Sequence, residues 1–187
     1  VNGDGIYGSS YDYTFQGSSA MPKFGYGINI SAGWKGFDLS MLWAGNGGFD
    51  LYWEESPYNS VSIRNGCAVS ERVANDHYFY DPANPNDPRT NLNAYFPRLV
   101  DESNKQSRQT SNFYLYNASY LKLKNLTIGY TLPANIVSKI FAERVRVYVS
   151  GENLFTITSF PGQDPEMGAN TNYPSLRQFA AGINVTF

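Results

Sequence analysis

The chain has 187 residues, a net charge of −2 and only 16% charged residues, against 15 Tyr, 12 Phe and 3 Trp. The absence of a basic cluster argues against a nucleic-acid partner, and no apolar run approaches the ~20 residues of a membrane-crossing helix. Cys67 is the only cysteine, which rules out an internal disulfide.

Residues 1–22 are rich in Gly and Ser and read as a loop. Within it, Asn2, Asp4 and Asp12, with the backbone carbonyl of Ile6, match the acidic part of a calcium loop. Alternating oxygen ligands with glycine at the sharp turn suit a hard cation. The pattern asks for its last carboxylate at position 11, where Tyr11 stands, and a plain Gly/Asp turn accounts for the same residues. Val1-Asn2-Gly3-Asp4-Gly5 carries no leader peptide and is expected to be the middle of a longer chain.

From 23 to 34 the chain alternates strictly. Phe24, Tyr26, Ile28, Ile30, Ala32 and Trp34 fall on one face, and Gly25, Gly27, Asn29, Ser31 and Gly33 on the other. Lys35-Gly36 makes a turn, and Phe37, Leu39, Met41 and Trp43 resume the pattern to about residue 46, with Leu42 breaking the polar face. Two such runs joined by a short glycine turn predict a hairpin. Aromatics at the ends of each apolar face suit the two girdles of a membrane barrel, although the inner face of a soluble sandwich alternates in the same way.

Gly45-Asn46-Gly47-Gly48 is expected to end that strand, and the Pro/Asn/Asp cluster at 81–89 supports neither helix nor strand. More than sixty loop residues are improbable in a compact domain but ordinary on the outer side of a barrel. Trp53, Tyr58, Tyr78, Phe79, Tyr80, Tyr95 and Phe96 could form a small core for this loop or platforms for sugar rings. Next, Leu121 and Leu123 alternate with Lys122 and Lys124, and then Leu126, Ile128 and Tyr130 with Asn125, Thr127 and Gly129. The change of parity between Lys124 and Leu126 calls for a β-bulge.

Residues 134–143 could hold a helical turn, after which Val145, Val147 and Val149 oppose Arg144, Arg146, Tyr148, Ser150 and Glu152. Residues 160–174 form a second loop. Phe179, Ala181, Ile183, Val185 and Phe187 then share one face of a last strand, with Gln178, Ala180, Gly182, Asn184 and Thr186 on the other. An apolar-out, small-in strand of about ten residues is what a spanning barrel needs.

The fold class expected is therefore all-β, with antiparallel strands at 23–34, 37–46, 118–132, 144–157 and 176–187. Turns at 35–36 and 133–143 would lie on the periplasmic side, and loops 1–22, 47–113 and 158–175 outside. Short connections and long loops then alternate as a barrel requires.

Several stretches carry a family resemblance. Residues 117–133 (NASYLKLKNLTIGYTLP) resemble the C-terminal region of SusC/RagA-type TonB-dependent transporters, as do residues 147–158 (VYVSGENLFTIT). Gly162-Gln163-Asp164-Pro165-Glu166 and the run from Tyr173-Pro174 to Phe187 continue the likeness. Asn2-Gly3-Asp4-Gly5, Pro22 and residues 34–40 (WKGFDLS) extend it at the other end. The loop at 49–110 is not covered. The resemblance implies the C-terminal part of a 22-stranded transmembrane β-barrel in the outer membrane of a Gram-negative cell, with its N-terminal plug absent from this chain. It further implies TonB-complex energy, a SusD-like lipoprotein partner, and a glycan or peptide as imported substrate. Phe179, Ile183, Val185 and Phe187 would then form the strand read by the outer-membrane assembly machinery, facing the lipid bilayer.

Enzyme chemistry has little support. His77 is the only histidine and Cys67 has no base beside it, so no nucleophile–base–orienter set can be named. The adjacent pairs Glu54-Glu55 and Asp101-Glu102 read as solvated loop charges. A soluble calcium-dependent carbohydrate-binding β-sandwich module stays open as the alternative.

Overall fold

The computed structural model describes residues 3, 5, 10–53, 62–63, 68–101, 110–169, 173 and 175–187. In chain order, β1 (Phe24–Trp34) and β2 (Phe37–Gly47) are followed by β3 (Asp50–Tyr52), β4 (Ser62–Ile63), helix α1 (Glu71–Asn75) and β5 (Val100–Asp101). Then come β6 (Leu115–Asn117), β7 (Tyr120–Thr131), helix α2 (Ala134–Val137), β8 (Arg144–Thr158) and β9 (Gln178–Thr186). Five of the strands form one antiparallel sheet in the order β1-β2-β7-β8-β9. The chain divides into two compact units, one built on this sheet and one holding most of the loop at 51–116.

The register of the sheet lines up the alternation of every strand. Ile30 opposes Met41, Met41 opposes Leu126, and Leu126 opposes Gly151. Four residues along each strand, Phe37, Tyr130, Val147 and Ile183 form a continuous row. Directly opposed residues of an antiparallel pair share a face, so the apolar sets of five strands merge into one surface. Many of those side chains stay exposed, among them Ile28, Ile30, Phe37, Ile128, Val149, Phe155, Phe179 and Ile183, while Leu39, Met41 and Trp43 are half-buried and Leu123 and Val145 are buried.

β2 ends at Gly47, one residue past the expected 46. Aromatic rings from β1 cover the glycines at this end. A Cβ on Gly45 would sit 2.1 Å from the Tyr120 carbonyl oxygen and 2.9 Å from the Tyr26 ring, and one on Gly47 would sit 2.5 Å from the Phe24 ring. The Tyr26 hydroxyl then donates to the carbonyl of Tyr120 at 2.7 Å. Glycine lets the ring lie on the backbone, and the ring restores the apolar cover the glycine lacks. At the other end of the chain, Phe187 falls one residue beyond the paired part of β9 rather than inside it, and its ring is exposed.

The parity change in β7 is a bulge. Leu42 pairs with Asn125 and Trp43 with Leu123, leaving Lys124 as the extra residue against β2. Against β8 the same residue faces two, Asn153 and Leu154, between the pairs Leu123–Phe155 and Asn125–Glu152. Asn153 takes a left-handed conformation (φ 53°), which asparagine tolerates better than most residues. Its amide donates to the carbonyl of Leu176 at 3.1 Å.

The loop unit has its own small core. Ser70 caps α1 by accepting from the Val73 N–H at 3.3 Å, and Val73 and Phe96 are buried with Val69, Leu99 and Phe113 around them. Phe113, Tyr114, Tyr95 and Phe96 meet edge-on or tilted, with centroids 4.9–6.3 Å apart, a favoured geometry for aromatic pairs. Arg72 lies over the Phe96 ring at 5.0 Å. His77 is used structurally: its Nδ1–H donates to the carbonyls of Ala74 (2.8 Å) and Val73 (3.2 Å). The Pro/Asn/Asp stretch is a chain of turns, with Asp87 holding the Arg89 N–H at 2.8 Å and its guanidinium at 2.8 and 3.0 Å. That guanidinium holds the Asp87 carboxyl down at about 2.

Candidate functional site

The face opposite the apolar surface gathers the polar side chains of the sheet. Its rows read Ser31–Ser40–Thr127–Ser150–Ala180 and Asn29–Leu42–Asn125–Glu152–Gln178. Two ion-paired sites are built on it.

The first lies near the β1–β2 turn. Gly33, Asp38, Gly129, Tyr148 and Gly182 form one row across the sheet. Asp38 is on β2 and Arg146 on β8, so β7 stands between them. Gly129 leaves the gap that lets them meet: an added Cβ would sit 2.6 Å from Arg146 Nε and 2.6 Å from Asp38 Oδ1. Arg146 Nε donates to Asp38 Oδ1 at 2.9 Å, and a second guanidinium nitrogen donates to Oδ2. Two parallel bonds fix the guanidinium plane. Gly182 makes similar room for the Tyr148 ring. Arg144, Arg146, Asn184 and Thr186 line a polar cleft at this end.

The second site is at the opposite end of the sheet and exists because of the bulge. Strand alternation before it puts Tyr120, Lys122 and Lys124 on the polar face; after it, Asn125 and Thr127 follow on that same face. Lys122 Nζ donates to Asp164 Oδ2 at 2.7 Å and to Glu166 Oε2 at 2.8 Å. Lys124 Nζ donates to both oxygens of Glu166, at 2.7 Å to Oε2. The acids come from the loop after β8, where Asp164 caps a 3-10 turn (Pro165–Met167) by accepting from the Glu166 N–H at 3.0 Å. The side chains of Lys122 and Asp164 are only 2% and 8% exposed. Burial alone would raise the Asp164 carboxyl, but the Lys122 ammonium, Ser175 and the Glu166 N–H outweigh it and hold it below its ordinary range. Glu166 is likewise held down, against burial, by Lys122 and Lys124. The result is a latch: two lysines on the sheet wall clamp the turn of a loop.

The residues singled out from sequence are distributed unevenly. Phe179, Ile183 and Val185 lie on β9 opposite Gly151, Val147 and Val145, within the apolar surface. Asp12 ends a short 3-10 turn (Ser10–Asp12), while Asn2, Asp4, Cys67, Glu54, Glu55 and Glu102 lie outside the described residues. Among the described residues, no three His, Cys, Asp or Glu side chains gather as metal ligands. The two ion-paired sites were not anticipated. Their sequence signal was slight: lysines in a chain poor in charge, and an Asp-Pro-Glu turn in the loop.

No family model matches the chain. Among curated proteins it is similar to TonB-dependent receptor P3 of Formosa agariphila, 34% identical over 181 residues, covering 89% of this chain and 16% of that protein. It is also similar to TonB-dependent receptor SusC of Bacteroides thetaiotaomicron, 33% identical over 87 residues, 44% of this chain and 9% of that one. Among solved structures it matches the RagAB peptide importer in its closed-closed state, with a TM-score of 0.69 and 28% identity over 91% of this chain and 18% of that one. The chain thus spans less than a fifth of the relatives it matches.

Proposed function

Because this chain belongs to the TonB-dependent receptors of the SusC/RagA type, we propose that it forms part of the barrel wall of an outer-membrane nutrient importer. The apolar surface faces lipid, the polar face lines the lumen, and the loops at 1–22, 48–119 and 159–177 lie outside the cell. One observation carries this: the apolar sets of five strands are in register on one face, and most of their side chains there are exposed. In water a surface this wide would be covered by a partner or would aggregate. In hydrocarbon it is the expected exterior. The strand lengths agree, because 11 residues (β1 and β2) rise about 36 Å along the strand and about 26 Å along the normal at ~45° tilt.

A calcium-dependent carbohydrate-binding sandwich fits less well, since a sandwich buries one face of each sheet against the other. The importer would have 22 strands, draw its energy from the TonB complex and work with a SusD-like lipoprotein. Its cargo would be a peptide or a glycan, and the RagAB complex it resembles is a peptide importer. Asn2, Asp4 and Asp12 remain the proposed calcium donors of the first loop.

The test is fractionation of cells producing the full-length protein, followed by uptake of oligosaccharide and peptide mixtures with and without it. The reading requires the protein in the outer-membrane fraction and depletion of one mixture only when it is present. Recovery in the soluble fraction would refute it.

A further inference from the structure

The connection between β7 and β8 folds back over the apolar side of the sheet. Val145 belongs to that side, since it opposes Val185, and Leu132 continues the parity of Ile128 and Tyr130. Val137 of α2 and Ala142 pack over these two residues, leaving Val137 2% exposed. Residues 133–143 therefore lie on the apolar side, next to the β1–β2 turn, where the Thr131 N–H donates to the carbonyl of Gly36 at 2.8 Å.

Among its exposed residues, beside the polar Asn135, Ser138 and Lys139, the connection presents two large apolar side chains. Ile136 is 49% and Phe141 93% exposed. Phe141 ends the 3-10 turn Ser138–Ile140 with φ 58°, a conformation that a bulky residue adopts at a cost. A ring held outward at that cost points to something that covers it. At the same end of the sheet, the β1–β2 turn carries an exposed Trp34 with Lys35 Nζ 4.8 Å above its ring, and Phe37 lies against Tyr130 at 4.5 Å. Lys139 is exposed beside Phe141, and Lys35 and Lys139 outnumber Glu143, the one acid of the connection.

We propose that residues 133–143 are an interfacial anchor that binds phospholipid at the rim of the sheet. Ile136 and Phe141 enter the acyl boundary, and Lys35 and Lys139 meet the lipid phosphates. This rests on the lipid-facing reading of the apolar surface, which the anchor adjoins without a break. The parts match the physics of an interface. Short amphipathic segments bury apolar side chains about 5–10 Å deep, Trp and Tyr belong at headgroup level, and lysine reaches outward from an apolar stem.

The full-length protein carrying this chain, with Cys67→Ser and Phe141→Cys, would bear a nitroxide at position 141 in vesicles of phosphatidylethanolamine and phosphatidylglycerol. Labels at positions 183 and 184 serve as lipid and lumen references. Position 141 should collide with oxygen in preference to a water-soluble nickel chelate, at a shallower depth than 183. Free access to the chelate would overturn the anchor, and so would shielding from both quenchers, which would mean that protein covers the ring. If position 183 were itself open to the chelate, the lipid-facing reading would fail first; if 183 is lipidic and 141 is not, the anchor alone fails. Replacing Lys35 and Lys139 with Gln should abolish any preference for spin-labelled phosphatidylglycerol over phosphatidylethanolamine at this rim. An unchanged preference would overturn the headgroup half of the proposal.

Discussion

The latch between Lys122 and the Asp164–Glu166 turn can be broken from one side. Lys122→Met keeps the length of the stem but leaves Asp164 buried without its ammonium. Removing one partner of a buried pair costs about 3–5 kcal/mol, because the remaining charge is stranded. Glu166 is cushioned by Lys124, so the loss falls mainly on Asp164. The double change Lys122→Met with Asp164→Leu removes both charges, and apolar replacement of a buried pair is often nearly neutral. Urea unfolding of the full-length protein in lipid should show the single variant destabilised by about that amount and the double variant recovering most of it. Protease cutting within residues 159–169 should follow the same order. The pH dependence has a defined sign. Both carboxyls are held below their ordinary values of 3.8 and 4.5, so the latch is intact at neutral pH and opens only as pH falls through the lowered values. In Lys122→Met the loop should open at higher pH than in the parent. Equal stability of the single and double variants, or no change in protease sensitivity, would refute the latch.

Three further outcomes are expected. Gly129→Ala should cost about 1–3 kcal/mol by forcing Asp38 and Arg146 apart, whereas Gly27→Ala, whose nearest contact would be an ordinary 3.7 Å, should be mild; comparable melting temperatures for the two would count against the slot. Chelation should increase protease cutting within residues 1–22 of the full-length protein if Asn2, Asp4 and Asp12 hold calcium, and metal analysis showing none bound at saturating calcium would retire that site. Deleting Gly182–Phe187 leaves β8 with unpaired backbone groups at several kcal/mol each in hydrocarbon, so membrane insertion should be lost, while trimming Asp81–Arg89 should leave it intact; normal outer-membrane levels of the first deletion would contradict the pairing.

The five long strands were legible because each has a polar and an apolar face, which writes a period of two into the sequence, whereas the short β3 to β6 have too few residues to show one. Even the bulge could be read, since Lys124 and Asn125 interrupt the alternation of leucines on either side. What could not be read depends on contacts far apart in the chain. Asp38 and Arg146 are 108 residues apart, and Lys122 and Asp164 are 42 apart. Which charges meet is decided by register and by the absent side chain of Gly129, neither of which leaves a periodic trace. The cover over Gly45 and Gly47 was hidden for a related reason: the Tyr26 and Phe24 rings come from another strand. The core around Val73 and Phe96 was anticipated only as a cluster of aromatics, because an irregular loop has no period to reveal which rings turn inward.

The most direct test of the account places a charge on each face of the sheet. In the full-length protein refolded into lipid, Arg at Ile28, Val147 or Ile183 should cost about 2–4 kcal/mol near the midplane. Arg at Asn29 or Ser150, on the polar face, should cost much less. Equal costs on the two faces would contradict the assignment of one surface to lipid and the other to water.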